Sequence, residues 1–219
     1  MVVLARGKMV TIILIRHGET DWNAEQVFRG KIDVPLNKLG LAQAGAVKEA
    51  LAEIKIDALY ASPLARALDT ARVLAEKRNL EIKVEEGLSD VDFGLWQGVP
   101  KGKVKEDYPD LYNTWLTDPH LVTLPRGETL IKVQKRSMAA LERAIETSPG
   151  KTVAIVSHRV VIKVILCSVL GLDLSRFWHV KQDTCAINRF EFNNGGYFLA
   201  CLNDTCHLKG LAGASLLDF

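Results

Sequence analysis

The fold of this chain is decided by the stretch Val10-Thr11-Ile12-Ile13-Leu14-Ile15-Arg16-His17-Gly18-Glu19-Thr20, a short apolar run that ends abruptly in an arginine, a histidine and a glycine. The run is rich in β-branched residues and carries no charge, which is typical of a central strand buried on both faces of a mainly parallel sheet. Ligands bind beyond the carboxyl ends of the strands in such sheets. We therefore expect Arg16, His17 and Gly18 to converge on one anion as a planar cation, an imidazole and an unhindered backbone N–H.

The composition of the chain sets the range of functions. Its 219 residues are 48% hydrophobic, enough to bury the core of one α/β domain. We expect a single domain over residues 1–219, with its core at about 10–208. The 28 Lys and Arg nearly balance 26 Asp and Glu, so neither nucleic acid nor an acidic membrane is expected as a partner. The apolar segments are too short or too interrupted to span a bilayer, and residues 1–8 lack a signal-peptide core, so we expect a cytoplasmic location.

The four cysteines form no CxxC pair and lie in apolar surroundings. They are expected to be buried free thiols. Cys201 and Cys206, followed by His207, fit no common zinc spacing, so no metal site is expected.

The apolar patterns beyond the first strand alternate between helix and strand. They predict helices over residues 38–54, 63–77, 128–147 and 159–170, and strands over 58–61, 80–84 and 151–156. Ser62 and Pro63 predict a helix start, with the serine as N-cap and the proline at the first helical position. Strands over 185–192 and 197–202 flank the turn Asn193-Asn194-Gly195-Gly196, which indicates a hairpin. Together these elements predict a three-layer α/β/α sandwich with a mainly parallel central sheet and one antiparallel edge strand or hairpin.

Residues 88–127 have a different pattern, in which glycines and prolines punctuate short helical pieces. They predict a loop-rich lid rather than core. Its large apolar side chains fit two roles, the lining of a pocket for an organic alcohol or the core: Phe93, Leu95, Trp96, Tyr108, Tyr112 and Trp115.

Several motifs, in order along the chain, resemble those of one family. They are Arg16-His17-Gly18-Glu19-Thr20 with Asn23, the loop from Gly30 to Gly40, Ser62-Pro63-Leu64-Ala65-Arg66-Ala67, the segment Leu88 to Gly98, and Val156-Ser157-His158. On these residues the chain is identified as a member of the histidine phosphatase superfamily, the phosphoglycerate mutase-like branch 1, over about residues 10–208. It resembles most its bacterial phosphatases, such as α-ribazole phosphatase, metal-independent phosphoserine phosphatase and broad-specificity phosphatase. The resemblance implies the sandwich fold and hydrolysis of a small phosphorylated metabolite through a phosphohistidine, with no metal or other cofactor.

A phosphate monoester carries about two negative charges at neutral pH, which must be neutralised before a nucleophile can approach. Arg16 and Arg66 are expected to donate forked hydrogen bonds to the non-bridging oxygens. His17 is assigned as the nucleophile, attacking phosphorus as a neutral imidazole. His158 is expected to stabilise the charge that spreads over the phosphoryl oxygens in the transition state.

The proton donor to the leaving alcohol is assigned to Asp90, because a carboxylic acid near the ester oxygen is expected. Members of the family usually carry a glutamate at this position, and the aspartate is one methylene shorter. Asp92 is kept as the alternative donor.

Further residues resemble positions that touch phosphate or the body of the substrate. The expected substrate-binding residues are Asn23, Arg29, Gly30, Thr20, Ser157, Arg159 and His207. A helix-start role for Thr20 and a structural role for His207 are kept open beside this one. Glu128 is expected to orient an active-site cation rather than to act as an acid.

Two other functions stay open. The alternative is a phosphoglycerate mutase, but the glycolytic mutases carry a longer insertion between acid and second histidine, with an arginine pair that this chain lacks. Hydrolysis is favoured because a mutase must exclude water from its phosphohistidine. The minor alternative is a non-catalytic phospho-ligand binder, which has no need of a nucleophile and an acid together. Phe93 stands where some of the phosphoserine enzymes have a histidine, which counts against phosphoserine, and a homodimer is left open.

Overall fold

A computed structural model describes residues 8–211, in which a central sheet of six strands carries helices on both faces. The strands are β1 (Val10–Arg16), β2 (Ala58–Ala61), β3 (Ile82–Val84), β4 (Thr152–Ser157), β5 (Ile187–Asn193) and β6 (Gly196–Asp204). Their order is β3-β2-β4-β1-β5-β6, with the first four mutually parallel and the hairpin β5–β6 antiparallel at one edge. The predicted sandwich with a mainly parallel sheet and an antiparallel hairpin is confirmed.

Seven α-helices lie in the described residues: α1 (Asp21–Ala24), α2 (Lys38–Ala50), α3 (Ala65–Ala75), α4 (Lys101–Asp107), α5 (Pro109–Thr117), α6 (Leu130–Glu146) and α7 (Arg159–Val169). Strand β1 shows how the layers form, because alternate side chains enter opposite cores. Ile12 and Leu14 pack on the side of α6 and α7, and Ile13 and Ile15 on the side of α2 and α3. The uninterrupted apolar run is therefore buried on both faces, as its sequence predicts.

Two helices are shorter than their sequence patterns. Helix α2 ends at Ala50 rather than residue 54, where Arg78 donates to the carbonyls of Leu51 (2.6 Å) and Ile54 (2.9 Å). Helix α3 begins at Ala65 with Leu64 as its N-cap, so the prediction of Ser62 as N-cap is wrong. The Ser62 hydroxyl lies instead 2.7 Å from a ring nitrogen of His158.

The segment 88–127 is loop-rich, but much of it is also core. Besides α4 and α5 it holds only short 3₁₀ turns. Its aromatic side chains Phe93, Trp96, Tyr112 and Trp115 are buried in the cluster beneath α6 and α7, whereas Leu95 is exposed. Of the two roles left open for these aromatic rings, the structure shows the core, and Phe93 also lines a cleft beside His17.

The cysteines are free thiols, but not all are buried. Cys167 and Cys185 are buried, Cys201 is half-buried and Cys206 is exposed, because the 3₁₀ turn at Cys206–Leu208 lies at the surface. Within residues 8–211 no helix is both long and apolar enough to cross a membrane. The expectation that residues 1–8 lack a signal-peptide core concerns a segment of which only Lys8 is described.

Candidate active site

Three neighbouring parallel strands bring the predicted motifs to one edge of the sheet. Arg16 at the end of β1 is the register partner of Ser157 at the end of β4, and the His17 N–H donates to the Ser157 carbonyl at 3.0 Å. On the other side of β4, the Ser62 N–H that follows β2 donates to the Val156 carbonyl at 3.1 Å. The backbone ladder of the sheet thus sets the positions of the first residues beyond the three strands.

His17 is held as a neutral imidazole with one defined tautomer. Its Nδ1 lies 2.6 Å from the Gly18 carbonyl oxygen. A carbonyl only accepts, so Nδ1 carries the hydrogen and Nε2 keeps its lone pair. Burial, followed by the positive charges of Arg66, Arg16 and Arg29, holds the pKa of His17 well below its ordinary value. An uncharged imidazole with a free lone pair is the form that a nucleophile requires.

His158 lies beside His17, with 5.2 Å between the ring centroids. Its Nε2 is 2.7 Å from the Ser62 hydroxyl, and its Nδ1 is 3.7 Å from Oδ2 of Asp90. This Nδ1 is buried and has no hydrogen-bond partner among the described residues. Burial and the neighbouring cations, Arg66 first, also hold the pKa of His158 well below its ordinary value. A buried donor position of this kind is suited to a phosphoryl oxygen.

Arg66 is fully buried and spans two parts of the site. Its Nη1 donates to the Ile32 carbonyl (3.0 Å) and its Nη2 to the Gly30 carbonyl (2.7 Å) and to Oδ2 of Asp90 (3.1 Å). Burial lowers the pKa of Arg66 and the Asp90 carboxylate opposes this, but an arginine stays charged at neutral pH. Its position next to His17 and His158 is that predicted from the first turn of its helix.

Arg16 is supported by a buried amide pair that the sequence analysis did not find. Its Nη1 donates to the Gln182 carbonyl at 2.8 Å. The side chains of Gln182 and Asn188 exchange two hydrogen bonds of 2.8 Å, and Asn188 also donates to the Leu14 carbonyl at 3.0 Å. A polar residue at a core position of the strand pattern 185–192 was the available signal.

Gly18 contributes to the site by permitting close packing. Its N–H donates to the Thr70 hydroxyl at 3.1 Å, so the expectation that this N–H faces an anion is not met in this structure. A Cβ on Gly18 would lie 2.4 Å from the Gly40 carbonyl oxygen. The start of α2 thus packs directly on the loop that carries His17.

Asp90 is the better placed of the two candidate acids. Its side chain is buried, accepts from Arg66, and accepts the Val91 N–H at 2.9 Å through Oδ1. Asp92 accepts the Gly94 N–H at 2.8 Å and does not line the cleft that holds His17.

That cleft opens to solvent and is narrow, with about 20 Å³ of space for the centre of a water molecule, little more than one water needs. Predicted residues line it together with apolar side chains: His17, Val27, Phe28, Arg29, Asp90, Phe93, Arg159 and Val160. Arg159 sits half-buried, its guanidinium 5.3 Å from the ring centre of Trp178. Arg29 and Arg159 are thus both at the site, as expected.

The other expected substrate-binding residues make hydrogen bonds within the protein that support its structure. The Thr20 N–H and hydroxyl both lie 2.9 Å from Oδ1 of Asn23 in a cap for α1, which is the helix-start role. The Gly30 carbonyl accepts from Arg66, and the Ser157 hydroxyl donates to the Leu88 carbonyl at 2.7 Å. His207 lies at a different pocket, with Nε2 3.0 Å from the Cys185 carbonyl, so the structural role fits it.

Glu128 has a different partner from the one expected. It pairs with Arg136, which does not line the cleft, rather than with a cation at the phosphate site. Within residues 8–211 no cluster of three or more His, Cys, Asp or Glu side chains is arranged to hold a metal ion.

Comparisons with known proteins agree with this geometry. Residues 12–205 match the sequence model of the histidine phosphatase superfamily (branch 1). Phosphoserine phosphatase 1 of Hydrogenobacter thermophilus is 35% identical over 200 residues, which are 91% of this chain and 95% of that protein. The solved structure of YhfR from Bacillus stearothermophilus superimposes with a TM-score of 0.89 at 29% identity, over 91% of this chain and 100% of that chain. Phosphoserine phosphatase of Entamoeba histolytica, solved with 3-phosphoglyceric acid, superimposes with a TM-score of 0.81 at 28% identity, over 91% and 99% of the two chains. The chain therefore belongs to the histidine phosphatase superfamily, branch 1, and is a phosphatase.

Proposed function

We propose that this phosphatase hydrolyses a small phosphorylated metabolite with His17 as nucleophile and Asp90 as proton donor. The observation that carries this proposal is the state of His17. It is a buried, neutral imidazole with Nδ1 tied to the Gly18 carbonyl, and Arg16, Arg29 and Arg66 surround it. The positive charges of three arginines around an uncharged nucleophile can neutralise a phosphate dianion while the nucleophile attacks it.

In the first step, Nε2 of His17 forms a bond to phosphorus while the ester P–O bond breaks. The electron pair of that bond leaves with the alcohol oxygen, which takes the proton that we assign to the Asp90 carboxyl group when the substrate is bound. We assign the Ser62 hydroxyl as the donor to Nε2 of His158, 2.7 Å away, which leaves the Nδ1–H of His158 to donate to a phosphoryl oxygen.

In the second step, a water oxygen attacks the phosphorus of the phosphohistidine. The Asp90 carboxylate accepts a proton from this water, the P–N bond breaks, and its electron pair returns to His17. Inorganic phosphate leaves, and both side chains regain their starting protonation states.

The lining of the cleft supports a proposal for the substrate class. Val27, Phe28 and Phe93 offer an apolar wall for a short carbon skeleton, and Arg159 adds a cation at the rim. We propose a phosphomonoester that carries a second anionic group, such as a carboxylate, beside Arg159. The names of the two phosphoserine phosphatases similar to this chain support phosphoserine as the first substrate to test.

The test is phosphate release from a panel of small phosphomonoesters in the presence of a chelator, with wild type beside His17→Ala and Asp90→Asn. We expect turnover in wild type that is lost by at least about 10⁴-fold in His17→Ala. Unchanged turnover in His17→Ala would remove the proposed nucleophile. Phosphate transfer that requires a bisphosphoglycerate primer, with no hydrolysis, would instead identify a mutase.

A cytoplasmic location and a homodimer stay predictions.

A further inference from the structure

The loop that carries Asp90 lies directly against helix α6. Glycine at position 87 allows this approach, because a Cβ there would lie 2.7 Å from the Arg136 carbonyl oxygen and 2.9 Å from Cβ of Ala140. The loop follows the 3₁₀ turn Glu86–Leu88 and pairs with no strand among residues 8–211. Its backbone carbonyls therefore need hydrogen-bond donors from outside the sheet.

Arg136 supplies those donors. Its Nη1 donates to the carbonyls of Gly87 (2.9 Å) and Ser89 (2.6 Å), and its Nη2 donates to the carbonyl of Asp90 itself (2.9 Å). A planar guanidinium holds its donors in a fixed geometry, so three carbonyls bound to one group are fixed relative to each other.

Glu128 completes the clamp. Its Oε1 accepts from Nε of Arg136 at 2.9 Å and its Oε2 from Nη2 at 3.0 Å, a bidentate pair. Oε2 also accepts the Asp92 N–H at 2.9 Å, and the Glu128 N–H donates to the Asp92 carbonyl at 2.8 Å. The two residues thus bind the loop on both sides of Asp90.

We infer that Arg136, oriented by Glu128, is a positioning residue that sets where the Asp90 carboxyl meets the leaving oxygen of the substrate. The inference rests on the proposed role of Asp90 as acid. An aspartate has two side-chain torsions and a short reach, so the place of its carboxyl follows its backbone closely. A misplacement of about 1 Å can cost about 100-fold in rate. The clamp therefore matters most in the step in which the proton is transferred.

The experiment compares two substrates that differ in their need for an acid. The leaving group of an alkyl phosphate such as phosphoserine is an unstable alkoxide unless its oxygen is protonated. The leaving group of p-nitrophenyl phosphate is a stable phenolate, which needs no acid. We expect Arg136→Met to lower kcat/KM for the alkyl phosphate by about 10- to 100-fold and for p-nitrophenyl phosphate by less than about 3-fold. The ratio kcat/KM covers the steps up to alcohol release and leaves out hydrolysis of the phosphohistidine, in which Asp90 acts on the same intermediate for both substrates. We expect Glu128→Gln to show the same selectivity with a smaller loss, and this variant carries the test if Arg136→Met does not fold.

The matched control is Arg143→Met on the same helix. Arg143 pairs with Glu85 at 2.9 Å at the start of the loop, with a side chain 56% exposed, and it does not reach Asp90. We expect this variant to leave both rates within about 2-fold of wild type. Equal losses for the two substrates in Arg136→Met or Glu128→Gln, or no loss in either, would overturn the inference.

Asp90→Asn separates the inference from the proposal beneath it. If Asp90 is the acid, this variant shows the same substrate selectivity in kcat/KM with a larger loss. If Asp90→Asn is selective and the clamp variants are not, the inference alone fails. If Asp90→Asn is itself unselective, the acid assignment fails and the inference falls with it.

Discussion

The two halves of this active site are held in place by different kinds of interaction. His17 and His158 stand at the ends of β1 and β4, strands that pair in register from Thr11 with Thr152 to Arg16 with Ser157. Asp90 stands on a loop outside the sheet, bound by Arg136 of α6 and by Arg66. The groups that hold phosphate are thus fixed by backbone hydrogen bonds, and the acid by side-chain hydrogen bonds. Single substitutions should therefore disturb the second half more selectively than the first.

Arg66 joins the two halves, and among the substitutions that compare them its replacement has the largest expected effect. In Arg66→Lys, one ammonium replaces a guanidinium that donates hydrogen bonds to three acceptors. We expect kcat/KM to fall by about 10²- to 10³-fold for alkyl phosphates and for p-nitrophenyl phosphate alike, because phosphoryl binding is lost for both.

Steady-state kinetics on both substrates measure this effect, with Arg72→Lys as control on the same helix, where the arginine side chain is 63% exposed and pairs with Asp69. A loss confined to alkyl phosphates would mean that Arg66 serves the acid half alone.

The buried histidines of the first half make stability depend on pH. Their folded-state pKa values lie well below the ordinary value of 6.5 because of burial and nearby cations. Below about pH 6.5 the unfolded chain binds more protons at these histidines than the folded chain, so the free energy of unfolding falls as pH falls. Above that pH the two groups contribute no slope. We expect a slope of about 1.4 kcal/mol per pH unit from each histidine once its unfolded form is protonated.

Urea unfolding between pH 7.5 and 5 tests this with His17→Gln, which should lose about 1.4 kcal/mol per pH unit of slope. His179→Gln, at an exposed position, is the control. An identical slope in wild type and His17→Gln would show that His17 is not held neutral by the fold.

The smallest expected effect is at Ser157, where the two halves meet. Its buried hydroxyl donates to the Leu88 carbonyl, two residues before Asp90. Ser157→Ala should cost about 1 kcal/mol of stability and less than about 3-fold in kcat/KM. A rise in KM of about 10-fold or more would instead show that this hydroxyl binds phosphate, as its sequence motif suggests.

The sequence predicted the first half well because its determinants are local. An apolar run followed by Arg16 and His17 specifies both a buried strand and what lies beyond its end, and parallel pairing then brings separate strand ends together. The positions of Arg66 and His158 followed from the same rule.

The second half was less accessible because its contacts join residues far apart in sequence. Nothing local to Arg136 shows that it reaches the carbonyls of residues 87–90, and nothing local to Ser62 shows that its hydroxyl faces His158 rather than a helix end. The aromatic rings of 88–127 likewise could not be assigned to core or cleft until the other elements were placed around them. Propensity and periodicity report burial but not the identity of a distant partner.

The most direct test of the account is to trap the covalent intermediate. Wild-type protein is mixed with a ³²P-labelled substrate, quenched in alkali within the first turnover, and the labelled residue is mapped by mass spectrometry, with His17→Asn as control. We expect an alkali-stable, acid-labile phosphoryl group on Nε2 of His17 that is absent from the variant. A label on any other residue, or phosphate release with a full first-turnover burst and no label, would contradict the assignment of His17 as nucleophile.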